Sequence, residues 1–171
     1  MAEAFRGEFY QKVDGKQRVT LPAAFRQILL ADDPDRTDPA RPRVYLVYGG
    51  KNRNYVEGYS KAGADALAAQ IEAMEIGSKA RDRAERDLIS RSVMVEIEPD
   101  GRFVLPPKVR EKIGLTGPDF ASGGEVAYAG TTNRFRLYRR DVYDAENEDD
   151  DDDDDDGVDP LALVGRAAKG A

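Results

Sequence analysis

The chain contains no cysteine and no histidine. Without cysteine it can form neither disulfides nor thiolate metal sites. Without histidine it lacks the commonest general base and zinc ligand, and with them the Ser-His and Cys-His nucleophile systems. An enzyme built from this sequence would depend on Asp, Glu, Lys or Tyr. A carboxylate pair such as Asp14 and Glu98 could be imagined as acid and base, but no Gly-rich phosphate loop or nucleophile motif accompanies it. Long hydrophobic runs are missing as well. Stretches such as 44–48 fall far short of a membrane span, and the opening MAEAFRGEF has no basic region followed by an apolar segment, as a secretory signal would. The expectation is a cytoplasmic protein with no enzymatic activity, cofactor, metal, membrane partner or small-molecule substrate.

Hydrophobic residues make up 40% of the 171, enough for one ordinary domain or two small ones. The net charge of −7 argues against a nucleic-acid partner until it is divided along the chain. Thirteen of the 33 acidic residues and two of the 26 basic ones lie from residue 141 onward. Residues 1–140 therefore hold 20 acids and 24 bases, a net +4. A mildly basic body with a strongly acidic tail permits nucleic acid as a partner.

The body repeats itself. DGKQRVTLPAAFRQILL, from Asp14, aligns with EPDGRFVLPPKVREKIGL, from Glu98. Arg18, Leu21, Pro22 and Arg26 match Arg102, Leu105, Pro106 and Arg110 at one offset of 84 residues, and Asn52-Arg53 matches Asn133-Arg134 at an offset of 81. A three-residue difference in a surface loop accounts for the change of offset. Each unit opens with an alternating strand (Phe9, Gln11, Val13; Val93, Val95, Ile97). A tight turn follows, at Asp14-Gly15 or Pro99-Asp100-Gly101, where Gly and Asp supply the positive φ a hairpin needs. A short strand comes next, 18–21 or 102–105. Pro22 or Pro106 then opens a short helix, running to about Leu30 or Ile113, with Gly114 as a C-cap. A second hairpin closes each unit: 44–48 with 55–59, and 125–129 with 135–138.

Between the units, 60–91 reads as helix. Ala66, Leu67, Ile71, Met74 and Ile76 give it an apolar face, and Gly77-Ser78 breaks it, with Ser78 as the N-cap of a second piece. Arg81, Arg83, Arg86 and Arg91 alternate there with Asp82, Glu85 and Asp87, which favours a solvated face with local ion pairs over a DNA contact. The loop 32–42 is rich in Pro and Asp. The run of eight aspartates at 149–156 lacks the spacing and glycine of an EF-hand. It reads as a disordered, solvated tail, or more sharply as an intramolecular phosphate mimic.

At FRGEF, DGKQRVTLPAAFR and EPDGRFVLPPKVREKIGL the chain resembles the MraZ family, over residues 5 to about 143. The resemblance implies an α+β, mostly β fold: tandem AbrB-like swapped-hairpin modules joined by helices, followed by a disordered acidic C-terminal tail. The boundaries are 5–59 for the first module, 60–91 for the linking helices, 92–143 for the second module and 144–171 for the tail. It implies a sequence-specific DNA-binding regulator, usually a repressor, acting on short direct repeats in double-stranded DNA ahead of the division and cell-wall gene cluster. A cytoplasmic, nucleoid-associated, ring-shaped homo-oligomer is also implied. An antitoxin or interaction module of the same AbrB-like fold is the alternative, although two modules in one chain argue against it.

The family pattern is D-x-x-x-R in each module. Asp14 and Arg18 match it, and in the second module Arg102 is present with Glu98 in the Asp place. An arginine at a strand start beside a tight turn can present its planar fork to guanine O6 and N7 or to a phosphate. The plainer alternative is an internal Asp–Arg salt bridge that fixes the turn. With the repeat and the resemblance together, Arg18 and Arg102 are the expected DNA-reading residues, and Asp14 and Glu98 the carboxylates that orient them. Lys16, in the first turn, is a phosphate contact, and Arg6 and Lys12 are weaker ones. Asp100 stands where the first unit has Lys16, so the two modules should not read DNA equally. For Arg26 and Arg110, on the short helices, stabilising a helix C-terminus is the plainest role.

Overall fold

The computed structural model describes residues 3–153 and 158–170, with side chains described through Glu148 and again over 158–165. The chain forms two compact units, Met1–Arg140 and Asp141–Ala171. The first unit is α+β and mostly antiparallel sheet. In chain order its strands are β1 (Glu8–Val13), β2 (Arg18–Thr20), β3 (Arg43–Val47), β4 (Val56–Tyr59), β5 (Ser92–Glu96), β6 (Arg102–Val104), β7 (Gly124–Gly130) and β8 (Phe135–Arg139). Its helices are α1 (Ala23–Ala31), α2 (Lys61–Glu72), α3 (Lys79–Ala84) and α4 (Pro107–Ile113), with a π-helical turn over Glu85–Ser90.

The two repeats are woven together. Six strands form one sheet in the order β1-β7-β8-β4-β3-β5, and β2 pairs with β6 in a separate ribbon. Exchanging each strand for its repeat counterpart (β1 with β5, β3 with β7, β4 with β8) reverses this order and leaves it otherwise unchanged. The expected hairpins β3–β4 and β7–β8 are present. At the first turn of each repeat the outcome differs from the expectation. Asp14 N donates to the Arg18 carbonyl and Glu98 N to the Arg102 carbonyl, so each turn closes. Beyond it the strands part: β1 pairs with β7, with Phe9 opposite Tyr128, and β5 pairs with β3. A three-residue strand buries too little to hold a hairpin alone. Its backbone groups must still be satisfied, and the equivalent strand of the other repeat does so.

The core lies between one face of the six-stranded sheet and a layer made of α1, α4 and the inner side of the ribbon. Val44, Leu46, Val126, Tyr128, Phe135 and Leu137 alternate along the sheet, while Val19, Phe103, Phe25 and Val109 come from the covering layer; all are 2% exposed or less. Phe25, on α1, stacks on Phe135 with centroids 5.0 Å apart. Gly58 leaves the room for that ring, since a Cβ there would lie 2.2 Å from it. Tyr128 Oη, wholly buried, donates to the Thr20 carbonyl at 3.1 Å and ties the ribbon to the sheet.

The helix signals are local and mostly fall where expected. Phe25, Ile28 and Leu29 form the buried stripe of α1. Pro22 and Pro106 occupy the N-cap positions, one residue earlier than the first helical turn, and Gly114 closes α4 with φ 79°. Ser60 and Ser78 cap α2 and α3, accepting from Gly63 N and Arg81 N at 3.1 Å. Of the apolar face expected on the linker, Ile71 is buried but Ile76 is 85% exposed. Where the tail is expected to be disordered, the structure shows helix through Asp153 in α5 (Arg140–Asp153) and over α6 (Pro160–Gly170). Residues 154–157, in the aspartate run, lie outside the described residues, as do the side chains of 149–153. Among the described residues no helix is long and apolar enough to cross a membrane.

Candidate nucleic-acid interface

The β2–β6 ribbon has two different faces. Arg18 lies opposite Val104, Val19 opposite Phe103, and Thr20 opposite Arg102. Alternation sends Val19 and Phe103 into the core, with exposures of 1% and 2%, and turns Arg18, Thr20, Arg102 and Val104 to the outside. The two arginines thus stand diagonally on one surface, with Cα atoms about 7–8 Å apart by sheet geometry.

Each arginine is held by an aspartate in its own turn. Asp14 Oδ1 accepts from the backbone N–H groups of Lys16 and Arg18, both at 2.9 Å, and Oδ2 accepts from Arg18 Nε at 3.1 Å. In the second turn Asp100 plays this part: Oδ1 accepts from Arg102 N at 3.0 Å and Oδ2 from Arg102 Nε at 2.9 Å. The Arg18 backbone N–H is the main reason the Asp14 carboxyl lies below the ordinary carboxylate range, with the Lys16 N–H and the Arg18 side chain adding to it. Asp100 is lowered first by the Arg102 backbone N–H and then by its side chain, and Arg18 contributes from across the ribbon. Both forks are fixed through Nε, which leaves their Nη edges without a hydrogen-bond partner among the described residues. An arginine fork held through Nε in this way keeps its Nη edge available for a guanine or a phosphate.

No family model matches the chain. Individual relatives do. The chain is 45% identical over 165 residues to the transcriptional regulator MraZ of Cereibacter sphaeroides, covering 96% of this chain and 97% of that one. It is 34% identical over 168 residues to the protein of the same name from a Ruegeria species, covering 96% of each. A third, from Parvibaculum lavamentivorans, is 29% identical over 142 residues, covering 83% of this chain and 80% of that one. The chain belongs to the MraZ family. These relatives are named as regulators of transcription, not as enzymes.

Set against the D-x-x-x-R pattern of the family, the first module holds Asp14 on Arg18 as expected. In the second module the expected orienting carboxylate, Glu98, does not reach Arg102. Glu98 contributes its backbone, donating to the Arg102 carbonyl and accepting from Gly101 N, while Asp100 supplies the carboxylate. The D-x-R spacing of Asp100-Gly101-Arg102 is the signal that would have found it, because an Asp side chain readily bonds the backbone two residues on. Lys16 is exposed in the first turn, beside Arg18. Lys12 is on the β1 face that points away from the core and the ribbon layer, with Glu125 opposite it on β7. Arg6 precedes β1, about 20 Å from the turn by strand length. The structure therefore brings together Arg18, Arg102 and Lys16, and leaves Lys12 and Arg6 elsewhere.

Two other repeated features are structural. Arg53 and Arg134, the matched residues of the two Asn-Arg pairs, converge on the single carboxylate of Glu57, which is 2% exposed. Arg110 stands in the last turn of α4, where a helix C-terminal role puts it, whereas Arg26 is not in the last turn of α1. Arg26 Nη2 donates to the Pro99 carbonyl at 3.0 Å, bracing the opposite turn, and Arg110 Nε donates to the Leu105 carbonyl at 3.2 Å. The ion pairs expected on the linking helix are present: Arg81 with Glu85, and Arg83, Arg86 and Arg91 around Asp87.

Proposed function

We propose that this protein is a sequence-specific DNA-binding transcriptional regulator whose reading surface is the outward face of the β2–β6 ribbon. The observation that carries the reading is the pair of outward-facing arginines, Arg18 and Arg102, each fixed through Nε by Asp14 or Asp100 with its Nη edge free. A two-stranded ribbon fits the major groove of B-form DNA, and an arginine fork there selects guanine. Val104, 51% exposed on the same face, is suited to a thymine methyl group. Lys16 adds a phosphate contact beside Arg18.

The palindromic strand order supports tandem AbrB-like swapped-hairpin modules at 5–59 and 92–143, joined by 60–91. Membership of the MraZ family supports a cytoplasmic, nucleoid-associated repressor on short direct repeats ahead of the division and cell-wall genes. A ring-shaped homo-oligomer suits that target, since tethered modules engage repeated sites together and gain effective concentration. Footprinting on the DNA upstream of its own gene, followed by gel shifts with Arg18→Ala and Arg102→Ala, tests the reading. Each substitution should cost about 1–3 kcal/mol at the specific site and relax preference at one base pair. Unchanged specific affinity in both variants refutes it.

A further inference from the structure

The reading ribbon has no charge to spare. Lys16, Arg18 and Arg102 are balanced by Asp14, Glu98 and Asp100. Yet affinity for a duplex comes largely from neutralising phosphates. A cluster of positive charge lies elsewhere, where the loop after β3, the π-helical turn and α4 meet. Lys51, Arg83, Arg91, Lys108 and Lys112 come together there against Asp87 and Glu111, and Arg86 joins them through Asp87. These six cations against two anions leave a local excess of positive charge.

Tight packing holds this cluster in place. Tyr48 N donates to the Arg91 carbonyl at 2.9 Å. Gly49 lies so close to the turn that a Cβ would sit 2.0 Å from the Asp87 carbonyl oxygen. Lys112 Nζ donates to the Gly50 carbonyl at 2.5 Å. Asp87, with a side chain 14% exposed, has Arg91, Arg86 and Arg83 at 3.2, 3.7 and 3.8 Å. One carboxylate cannot neutralise three guanidiniums, and the Arg83 and Arg86 side chains remain 68% and 60% exposed. Lys108 is 67% exposed and 3.8 Å from Glu111. A cleft of about 520 Å³ opens among Lys51, Arg53, Arg83 and Asp87. Burial is the main reason the Lys112 ammonium lies below the ordinary lysine range, with Arg53 and Arg91 adding to it and Asp87 opposing them.

The repeat gives the cluster a side. Lys108, Glu111 and Lys112 on α4 correspond to Ala24, Gln27 and Ile28 on α1. The first module therefore has no such patch on its helix, and α4 belongs to the same covering layer as the ribbon. We infer that this patch is a second DNA contact, made with backbone phosphates on the α4 flank of the ribbon, which supplies sequence-independent affinity while the ribbon supplies the reading. The inference rests on the proposed DNA-binding function.

The test uses the full chain and two labelled duplexes, one carrying the footprinted site and one of random sequence, titrated across a range of salt. The triple variant Arg83→Gln, Arg86→Gln, Lys108→Gln changes exposed side chains only. Its slope of log K against log salt should be shallower than wild type by roughly two to three on both duplexes, with equal loss of affinity on each. Arg83→Lys with Arg86→Lys, which keeps the charge, should retain the wild-type slope. Arg18→Ala should instead lose preference for the site. Unchanged slopes in the triple variant, with Arg18→Ala still losing preference, overturn the patch and leave the ribbon standing. Wild-type protein that binds neither duplex overturns the proposed function, and the patch with it.

Discussion

Glu57 offers the sharpest test of how the two repeats are joined. It lies on β4, where β4 meets β8, the one pairing in the six-stranded sheet that joins a strand to its own repeat counterpart. Its carboxylate takes Arg53 from the hairpin loop of the first repeat and Arg134 from that of the second. Removing one partner of a buried ion pair costs about 3–5 kcal/mol, because a charge is left behind without compensation. The two arginine side chains are 33% and 27% exposed and can recruit water, so Glu57→Ala should fall near the lower end, about 3 kcal/mol. Glu57→Gln, which keeps the volume and one acceptor oxygen, should lose about 1.5–3 kcal/mol. With an unfolding entropy of roughly 0.3 kcal/mol/K for a body of this size, 3 kcal/mol corresponds to a fall in Tm of about 10 °C. Urea unfolding followed by circular dichroism, checked for an unchanged m-value, measures the loss. A loss below about 1 kcal/mol in Glu57→Ala would refute the clamp, since that is the range of exposed ion pairs. A double-mutant cycle between Glu57 and Arg134 then isolates the pair itself.

The turns and the acid limit give two more predictions. Gln17 is held at φ 63° where the second turn has Gly101 at φ 86°. Gln17→Gly should raise the urea midpoint slightly, because left-handed strain of about 1–2 kcal/mol outweighs the entropy of an added glycine, about 0.5–1 kcal/mol. Gly101→Ala should lower it by about 1 kcal/mol; the opposite order would contradict the turn geometry. Asp33, 1% exposed, is held below its ordinary value of 3.8 chiefly by a fork from Arg43, with bonds of 2.8 and 2.6 Å. A depressed folded value means that the stability Asp33 contributes is present above about pH 4 and is lost as pH falls through the folded value. Asp33→Asn should therefore flatten the decline of the urea midpoint on acidification, and an unchanged acid profile would show that this pair does not set it.

Much of the first unit was legible because the deciding contacts are short in sequence. The cap at Ser78 and the left-handed closures at Gly114 and Gly101 involve groups a few residues apart. The sequence pattern puts the positive φ of the first turn on Asp14-Gly15, but it falls on Gln17, because the turn residue equivalent to Gly101 is fixed by the Asp14 and Arg18 bonds around it. Spacing along the chain points to Glu98 rather than Asp100 as the partner of Arg102. The side chain that bonds an arginine two residues on is selected by turn geometry instead.

The sequence by itself determined the repeated units, their turns and helix starts, and the two arginines placed at equivalent strand starts. Only the tertiary structure decided that β1 joins β7 and β2 joins β6, more than eighty residues apart. The same holds for Arg53 and Arg134, which meet on Glu57, and for Lys108 and Lys112, which share a surface with Arg83 and Arg91. The physical reason is that a three-residue strand or a lone charged side chain carries no partner preference within its own few neighbours. Backbone groups and charges that must be satisfied on burial take their partners from whatever the closed core brings within reach.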